Sequence, residues 1–401
     1  MKSPYLRKYL TPHIMGLLSS QAAHRARRKI FEMRRRAKRR GHEVFFFHDL
    51  ADPYSYLLAQ VLRDLVAAYD VTLTQYLVPP PDPKSTPQAA LLAAQARLDA
   101  ARIAVFHGLE FNLERLEEER QRVPAEDLTE RLQEGSEQLA RLGHYQGGML
   151  FYAGEWYWGL DRLAYLEERL RSLGASRNLA SPIRFPRPPD MGQDFAPNRN
   201  AQPVEMFYSF RSPYSYLALE KLPAFVKRTG IDLRLRPVMP MITRGVPLLR
   251  EKRRYIWFDS TREARRQGIA FGKIADPLIE EGYKNALALF PLAEAQGKGL
   301  EFSRAAMSAA FAEGRYLSDE RVLRRLADDL GMEWPECREA LGNEDWRAAA
   351  EENAAALRRL GLWGVPSFHC GEVCVWGQDR MWLLERLIGQ GKNDFASPRD
   401  R

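Results

Sequence analysis

The alternation of apolar and polar positions lays out the same succession of elements twice. Residues 43–47 and 71–77 read as strands around a helix-like run over 53–68, and the order returns at 204–208, 213–229 and 232–237. Each βαβ unit leads into a stretch rich in Ala, Leu, Glu and Arg with helical period and almost no strand signal, at roughly 85–142 and 250–361. Each then closes on two short strands about a tight turn, 149–152 with 155–158 and 367–370 with 373–376. A last helix starts at an Asp-Arg pair.

Comparing the chain with itself sharpens this pattern. Residues 44–57 read VFFFHDLADPYSYL and residues 204–217 read VEMFYSFRSPYSYL, an offset of 160, whereas WGLDR at 158–162 and WGQDR at 376–380 stand 218 apart. Two offsets mean a duplicated unit with a common beginning and end, the second copy carrying 58 more residues in its middle. Proline density over 174–202 predicts an extended, semi-rigid linker. The expected organisation is a basic helical segment over 1–41, a first domain over 42–173, that linker, a second domain over 203–392 and a tail over 393–401.

Composition narrows the class. With 45% hydrophobic and 28% charged residues among 401, the chain is globular and long enough for two cores, which excludes disorder and a collagen-like fibre. No apolar run approaches the roughly 18 residues that span a bilayer, and no signal-peptide pattern opens the sequence. Three cysteines, Cys337, Cys370 and Cys374, form no CxxC pair, so neither a disulfide framework nor a thiolate zinc site is expected and a reducing, cytoplasmic compartment is. Cys370 and Cys374 flank a tight turn but fall one register step apart, which favours buried thiols over a bridge.

The net charge of +8 is unevenly placed. Residues 1–41 hold thirteen Lys or Arg against one acid, Glu32, a balance of +12, and the other 360 residues sum to −4. Residues 20–40 predict a helix with a thin stripe of Ala23, Ala26, Ile30, Met33 and Ala37 set among arginines. Such a helix suits acidic lipid, nucleic acid, a targeting role or, most simply, a small-residue face leaning on an acidic protein surface. Few aromatics interleave the arginines, so nucleic acid is not the expected partner.

The motifs SPYSYLA at 212–218, RPVMP at 236–240, KRRYIWFDSTREARRQGIAF at 252–271, GVPSF at 364–368 and WGQDR at 376–380 carry a resemblance. The second copy resembles the DsbA-like branch of the thioredoxin superfamily, in particular 2-hydroxychromene-2-carboxylate isomerases and kappa-class glutathione transferases, with residues 43–173 as a degenerate copy. The resemblance implies an α/β chain of two tandem thioredoxin-like domains, each with a helical insertion. It also implies glutathione as the cofactor and a small aromatic or electrophilic molecule as the substrate.

The chemistry has its own logic. A thiol oxidoreductase opens its first helix with Cys-x-x-Cys, because the helix start stabilises a thiolate; here Ser212 and Ser215 stand at those places, so no disulfide cycle is available. A hydroxyl at Ser212 can still donate to a thiolate brought in by a ligand, and it also suits an ordinary N-cap before Pro213. In the first copy Asp52 caps equally well but would repel a thiolate. By resemblance Pro366 is the family's cis-proline, with Val365 pairing to the cysteinyl part of glutathione, and Gly148 takes that place in the first copy. Asp379 and Arg380 are expected at the γ-glutamyl end, and Tyr214, Arg244, Lys252 and Arg253 beside the substrate. Ser209 departs from the family, which usually carries an acid there. His48, aligned with Tyr208, reads as a satisfied core histidine. A tandem binding scaffold without turnover is the alternative to an enzyme.

Overall fold

The computed structural model describes residues 4–121, 124–188, 202–240, 249–275 and 282–389. Two compact units interleave along the chain. One takes in Arg25–Pro189 and Pro247–Tyr255, the other Met1–His24, Asp190–Val246 and Ile256–Asp394.

Two helices come first, α1 (Pro4–Ser19) and α2 (Gln21–Ala37). The sequence reading expects a helical segment over 1–41 and places an apolar stripe only over 20–40, the span of the second helix. The stripe expected to face the protein from α2 is corrected: Ile30 and Met33 are 42% and 53% exposed. The side turned inward carries Arg28, paired with Glu155 through two 2.7 Å bonds, and Phe31, whose ring lies against Gly154.

The first sheet is made of β1 (Glu43–His48), β2 (Thr72–Leu77), β3 (Met149–Tyr152) and β4 (Glu155–Trp158). Around it run α3 (Pro53–Ala68), α4 (Ala89–His107), α5 (Leu113–Gln121), α6 (Ala125–Leu142) and α7 (Leu163–Ser172). The second is made of β5 (Val204–Tyr208), β6 (Leu233–Pro237), β7 (Ser367–Cys370) and β8 (Val373–Trp376). Its helices are α8 (Pro213–Thr229), α9 (Arg250–Gln267), α10 (Gly282–Ala295), α11 (Gly299–Ser308), α12 (Glu320–Asp329), α13 (Trp334–Leu341), α14 (Trp346–Arg359) and α15 (Met381–Gly389).

Strand order is β2-β1-β3-β4 in the first sheet and β6-β5-β7-β8 in the second, each with one parallel and two antiparallel pairings. Register matches as well as order. Val44 pairs with Leu73 and Val204 with Leu233; Phe47 pairs with Met149 and Phe207 with Ser367. Phe46, Phe47, Phe207 and Phe368 are fully buried, and each such side chain contributes roughly 2–3 kcal/mol of transfer free energy.

The helical middles also correspond. Helix α4 stands 160 residues before α9, and α6 stands 218 before α14; α5 occupies the interval that α10 to α13 fill in the second copy. At Gly135 in α6 an added Cβ would come 1.8 Å from the Leu77 carbonyl, a contact only glycine permits. Asn353 in α14 meets the equivalent carbonyl, Pro237, with a 3.0 Å hydrogen bond from its side-chain amide. Among the described residues no helix is long and apolar enough to cross a membrane, and Cys337, Cys370 and Cys374 form no disulfide.

Candidate functional site

Ser212, Val365, Pro366, Asp379 and Arg380 come to one end of the second sheet. Strand β5 ends there and runs through a tight loop to α8. Strand β7, antiparallel to it, begins there just after Pro366, and β8 ends there at Trp376. Ser212, the 365–366 pair and the 377–380 turn are therefore brought to a common edge by pairing alone.

Ser212 is the N-cap of α8, with extended backbone angles of φ −97° and ψ 114°, and its Oγ accepts the Ser215 N–H at 3.2 Å. Pro213 follows at the first helical position, where its missing N–H costs nothing. Ser215 is fully buried and its Oγ accepts the Ser209 N–H at 3.3 Å, which ties the loop to the helix. Among the described residues the Ser212 hydroxyl is seen only as an acceptor.

The first unit repeats the frame with different chemistry. Asp52 caps α3, accepting from Tyr54 N at 3.4 Å and Ser55 N at 2.9 Å, and Ser55 Oγ accepts the Asp49 N–H and contacts His48 Nδ1 at 2.7 Å. Burial, and then the Asp49 carboxyl, push the Asp52 carboxyl up to about 7. His48 is a satisfied, fully buried core residue.

The Val365-Pro366 peptide is cis, as the resemblance implies. Pro366 is buried and Val365 half-buried, and the Pro366 carbonyl accepts the Gly377 N–H at 2.9 Å. In the first unit the Gly148 carbonyl accepts from Gly159 at the same distance. Gly148 has φ +67°, and an added Cβ would sit 2.6 Å from Asp52 Oδ2 and 3.6 Å from Trp158 Nε1. The cap and the strand start are thus in van der Waals range at this edge, and Asp52 occupies the space beside them.

Asp379 is half-exposed in the short 3-10 turn Gln378–Arg380, with Oδ1 3.6 Å from the buried Arg380 guanidinium. Arg162, its counterpart in the first unit, is buried too.

The Tyr214 hydroxyl donates to Asp259 in α9 at 2.8 Å. Lys252 falls in the segment grouped with the first unit; there it donates to the Ser85 carbonyl at 3.1 Å, and burial lowers its pKa. Arg253, in the same segment, is exposed. Arg244 lies outside the described residues.

Two features went unseen in the sequence reading. Asp259 is buried, paired with Arg262 as well as Tyr214. A buried chain of polar groups also links α8, α9 and the turn: Lys221 Nζ donates to the Gln378 backbone carbonyl and, at 2.9 Å, to its Oε1. Gln378 Nε2 donates to Glu263, and Gln267 donates to both. The signal for the first was present, since Asp99 and Arg102 lie 160 residues before Asp259 and Arg262.

A thioredoxin-like sheet with a serine-capped first helix, a cis-proline before the third strand and no redox cysteine pair defines the class of the second domain. Residues 203–389 match the DSBA-like thioredoxin domain family and are a domain of that kind. Among curated proteins, 2-hydroxychromene-2-carboxylate isomerase of Sphingobium xenophagum is 29% identical over 197 residues, 46% of this chain and 97% of its own. The protein of the same name from Pseudomonas putida is 24% identical over 198 residues, 47% of this chain and 94% of its own. Solved structures similar to this chain include a 2-hydroxychromene-2-carboxylate isomerase, 21% identical with a TM-score of 0.42, covering 49% of this chain and all of that one. Another is the cytosolic disulfide reductase DsbM from Pseudomonas aeruginosa with GSH, 24% identical with a TM-score of 0.34, covering 47% and 93%.

Proposed function

We propose that residues 203–389 form a glutathione-dependent isomerase acting on a small aromatic carboxylate of the hydroxychromene type. The observation that carries the reading is the Ser212 hydroxyl. It is fixed as acceptor by the Ser215 N–H and, among the described residues, meets no acceptor for its own proton, at the positive end of α8. Glutathione supplies a nucleophilic thiol when bound. Ser212 would donate to its sulfur and, with the helix start, favour the thiolate over the thiol near neutral pH.

Val365 would align the cysteinyl backbone in strand fashion beside Pro366. Asp379 would take the γ-glutamyl ammonium, and the turn it stands in, held by buried Arg380, would meet the carboxylate. Tyr214, committed to Asp259, would present its ring to the substrate. Lys252, engaged with Ser85, is not needed by this reading. The names of the two curated relatives support isomerisation over conjugation. In the first unit Asp52 takes the place of the serine, and above about pH 7 its ionised carboxylate only accepts, with both cap bonds made, and we assign that unit a supporting role without thiol binding.

Titrating glutathione against wild type and Ser212→Ala tests this, with thermal stability and the ultraviolet absorbance of bound thiolate as readouts. Wild type should gain both stability and absorbance, and Ser212→Ala should lose the absorbance. Silence of both signals in wild type at millimolar glutathione would replace the enzyme with a tandem binding scaffold.

A further inference from the structure

The two leading helices are inverted. In α1 the residues turned to the protein are small or polar: Pro12 and Ser19 are buried, Ser19 Oγ accepts from Trp257 Nε1 at 2.9 Å, and Gly16 packs on the stem of Lys273. The outward face is apolar, with Tyr9 63%, Leu10 40%, Ile14 52% and Leu17 70% exposed at helical spacing. Helix α2, taken by itself, does the same. Arg28 and Phe31 face Glu155 and Gly154, while Ile30 and Met33 stand outward with Ala22, Ala26 and Ala37.

This exposure is concentrated. Tyr9, Leu10, Ile14, Leu17 and Leu18 in α1 and Ile30 and Met33 in α2 are all exposed, so within each helix the pattern is a face rather than scattered side chains. The fixed inward contacts hold each apolar face outward. Basic groups line it: on the α2 wheel Arg25, Lys29 and Arg36 run along one edge of the stripe and Arg34 along the other. Glu32, the one acid of residues 1–41, is turned inward and bonded by Arg35 and Arg36.

We propose that α2 forms a peripheral docking surface for an anionic lipid bilayer, with its apolar stripe entering the headgroup boundary and the flanking arginines and lysine meeting lipid phosphates. An apolar stripe bordered by cations on both edges fits that interface, since long basic side chains bury their stems while reaching outward. A second copy of the chain is a poor occupant, because two segments of charge +12 repel. Nucleic acid offers phosphates but nothing to cover Ile30 and Met33.

Sedimentation of the full chain with vesicles tests this. Mixed phosphatidylglycerol and phosphatidylcholine vesicles should bind it, pure phosphatidylcholine should bind it at least tenfold more weakly, and ~0.5 M salt should weaken binding to the anionic vesicles by screening. Ile30→Ser with Met33→Ser should lower affinity at least tenfold; both sites are exposed, and circular dichroism checks that the helix persists. Leu179→Ser, which removes an exposed leucine outside these helices, should change nothing. The proposal fails if anionic vesicles do not bind or if the double variant binds as well as wild type. It fails equally if the stripe drives self-association in ultracentrifugation, or if duplex DNA binds more tightly than vesicles and ignores the double variant.

Discussion

The Tyr214 hydroxyl donates a 2.8 Å hydrogen bond to Asp259, 45 residues further on in α9. The first unit holds the same relationship at the same separation: Tyr54 donates to Asp99 at 2.9 Å. In each unit the pair ties the start of the first thioredoxin-like helix to the helical insertion. It persists where the neighbouring cap has changed from serine to aspartate, so it serves the scaffold beneath the site rather than thiol chemistry alone.

Tyr214→Phe therefore has a defined cost. It leaves the buried Asp259 carboxylate with Arg262 but without one of its donors, which should destabilise the second domain by about 1–2 kcal/mol. Urea denaturation reads this. Glutathione affinity should fall far less than in Ser212→Ala, and an equal fall would make Tyr214 a direct ligand contact.

Lys221 offers a sharper link between packing and the site. Its ammonium is buried and bonded to both oxygens of Gln378, the residue that opens the turn carrying Asp379 and Arg380. Lys221→Met keeps the stem and removes the donors, leaving the buried Gln378 backbone carbonyl without its lysine partner and Oε1 with the Gln267 amide alone. A loss of about 2–3 kcal/mol in stability is expected, together with weaker glutathione binding through the displaced turn. Unchanged affinity in the folded variant would detach the turn from the site.

The ends of each domain were readable because strand pairs, Pro-initiated helices and the WGxDR turn are local signals, and the structure places those strands within a residue of the expected bounds. The middles were not aligned, although GLEF at 108–111 and GIAF at 268–271 continue the 160-residue offset through α4 and α9. Helical stretches of Ala, Leu, Glu and Arg match one another at many offsets, so composition hid the true one. The α2 stripe was misplaced for a different reason. Amphipathicity tells which residues share a face, but Arg28 and Glu155 decided which face turns inward, and that pairing spans 127 positions.

His144 gives the first unit an acid-sensitive side. It packs against Trp156 and Tyr255 at ring separations of 4.5 and 5.1 Å, and burial holds its pKa down to about 3 against 6.5 when free. As pH falls from about 6.5 to about 3 the unfolded chain takes up a proton that the native state refuses, so stability falls with pH there by up to ~1.4 kcal/mol per unit. His144→Phe should flatten that slope. A slope unaltered by the substitution would place the acid sensitivity elsewhere.

Asp52 works in the opposite sense. Its folded value of about 7 lies above the free value of 3.8, so between about 4 and 7 the native state holds a proton the unfolded chain has lost, and stability falls as pH rises. Asp52→Asn removes the charge, keeps a cap acceptor and should stabilise the first unit by about 1–2 kcal/mol at pH 7.5, with little gain at pH 4. The gain stays below the full shift because Tyr54 and Ser55 N–H donate more strongly to a carboxylate than to an amide. Thermal melts at the two pH values decide it, and a larger gain at pH 4 would reverse the argument.

Gly148 and Asp52 should be coupled. Alanine at 148 meets two separate penalties, a left-handed φ of +67° and a Cβ 2.6 Å from Asp52 Oδ2. The first costs about 1 kcal/mol whatever stands at 52. The second exists only while the carboxylate is there and forces the cap to move, so Gly148→Ala alone should cost about 2–4 kcal/mol. In an Asp52→Ser background, where the shorter side chain withdraws from that space and still caps α3, the same substitution should cost little more than the φ term. A double-mutant cycle by urea denaturation would then show a coupling of about 1–3 kcal/mol. Additive losses would mean that Asp52 yields freely, and that the aspartate did not displace the proline from this edge of the first unit by filling its space.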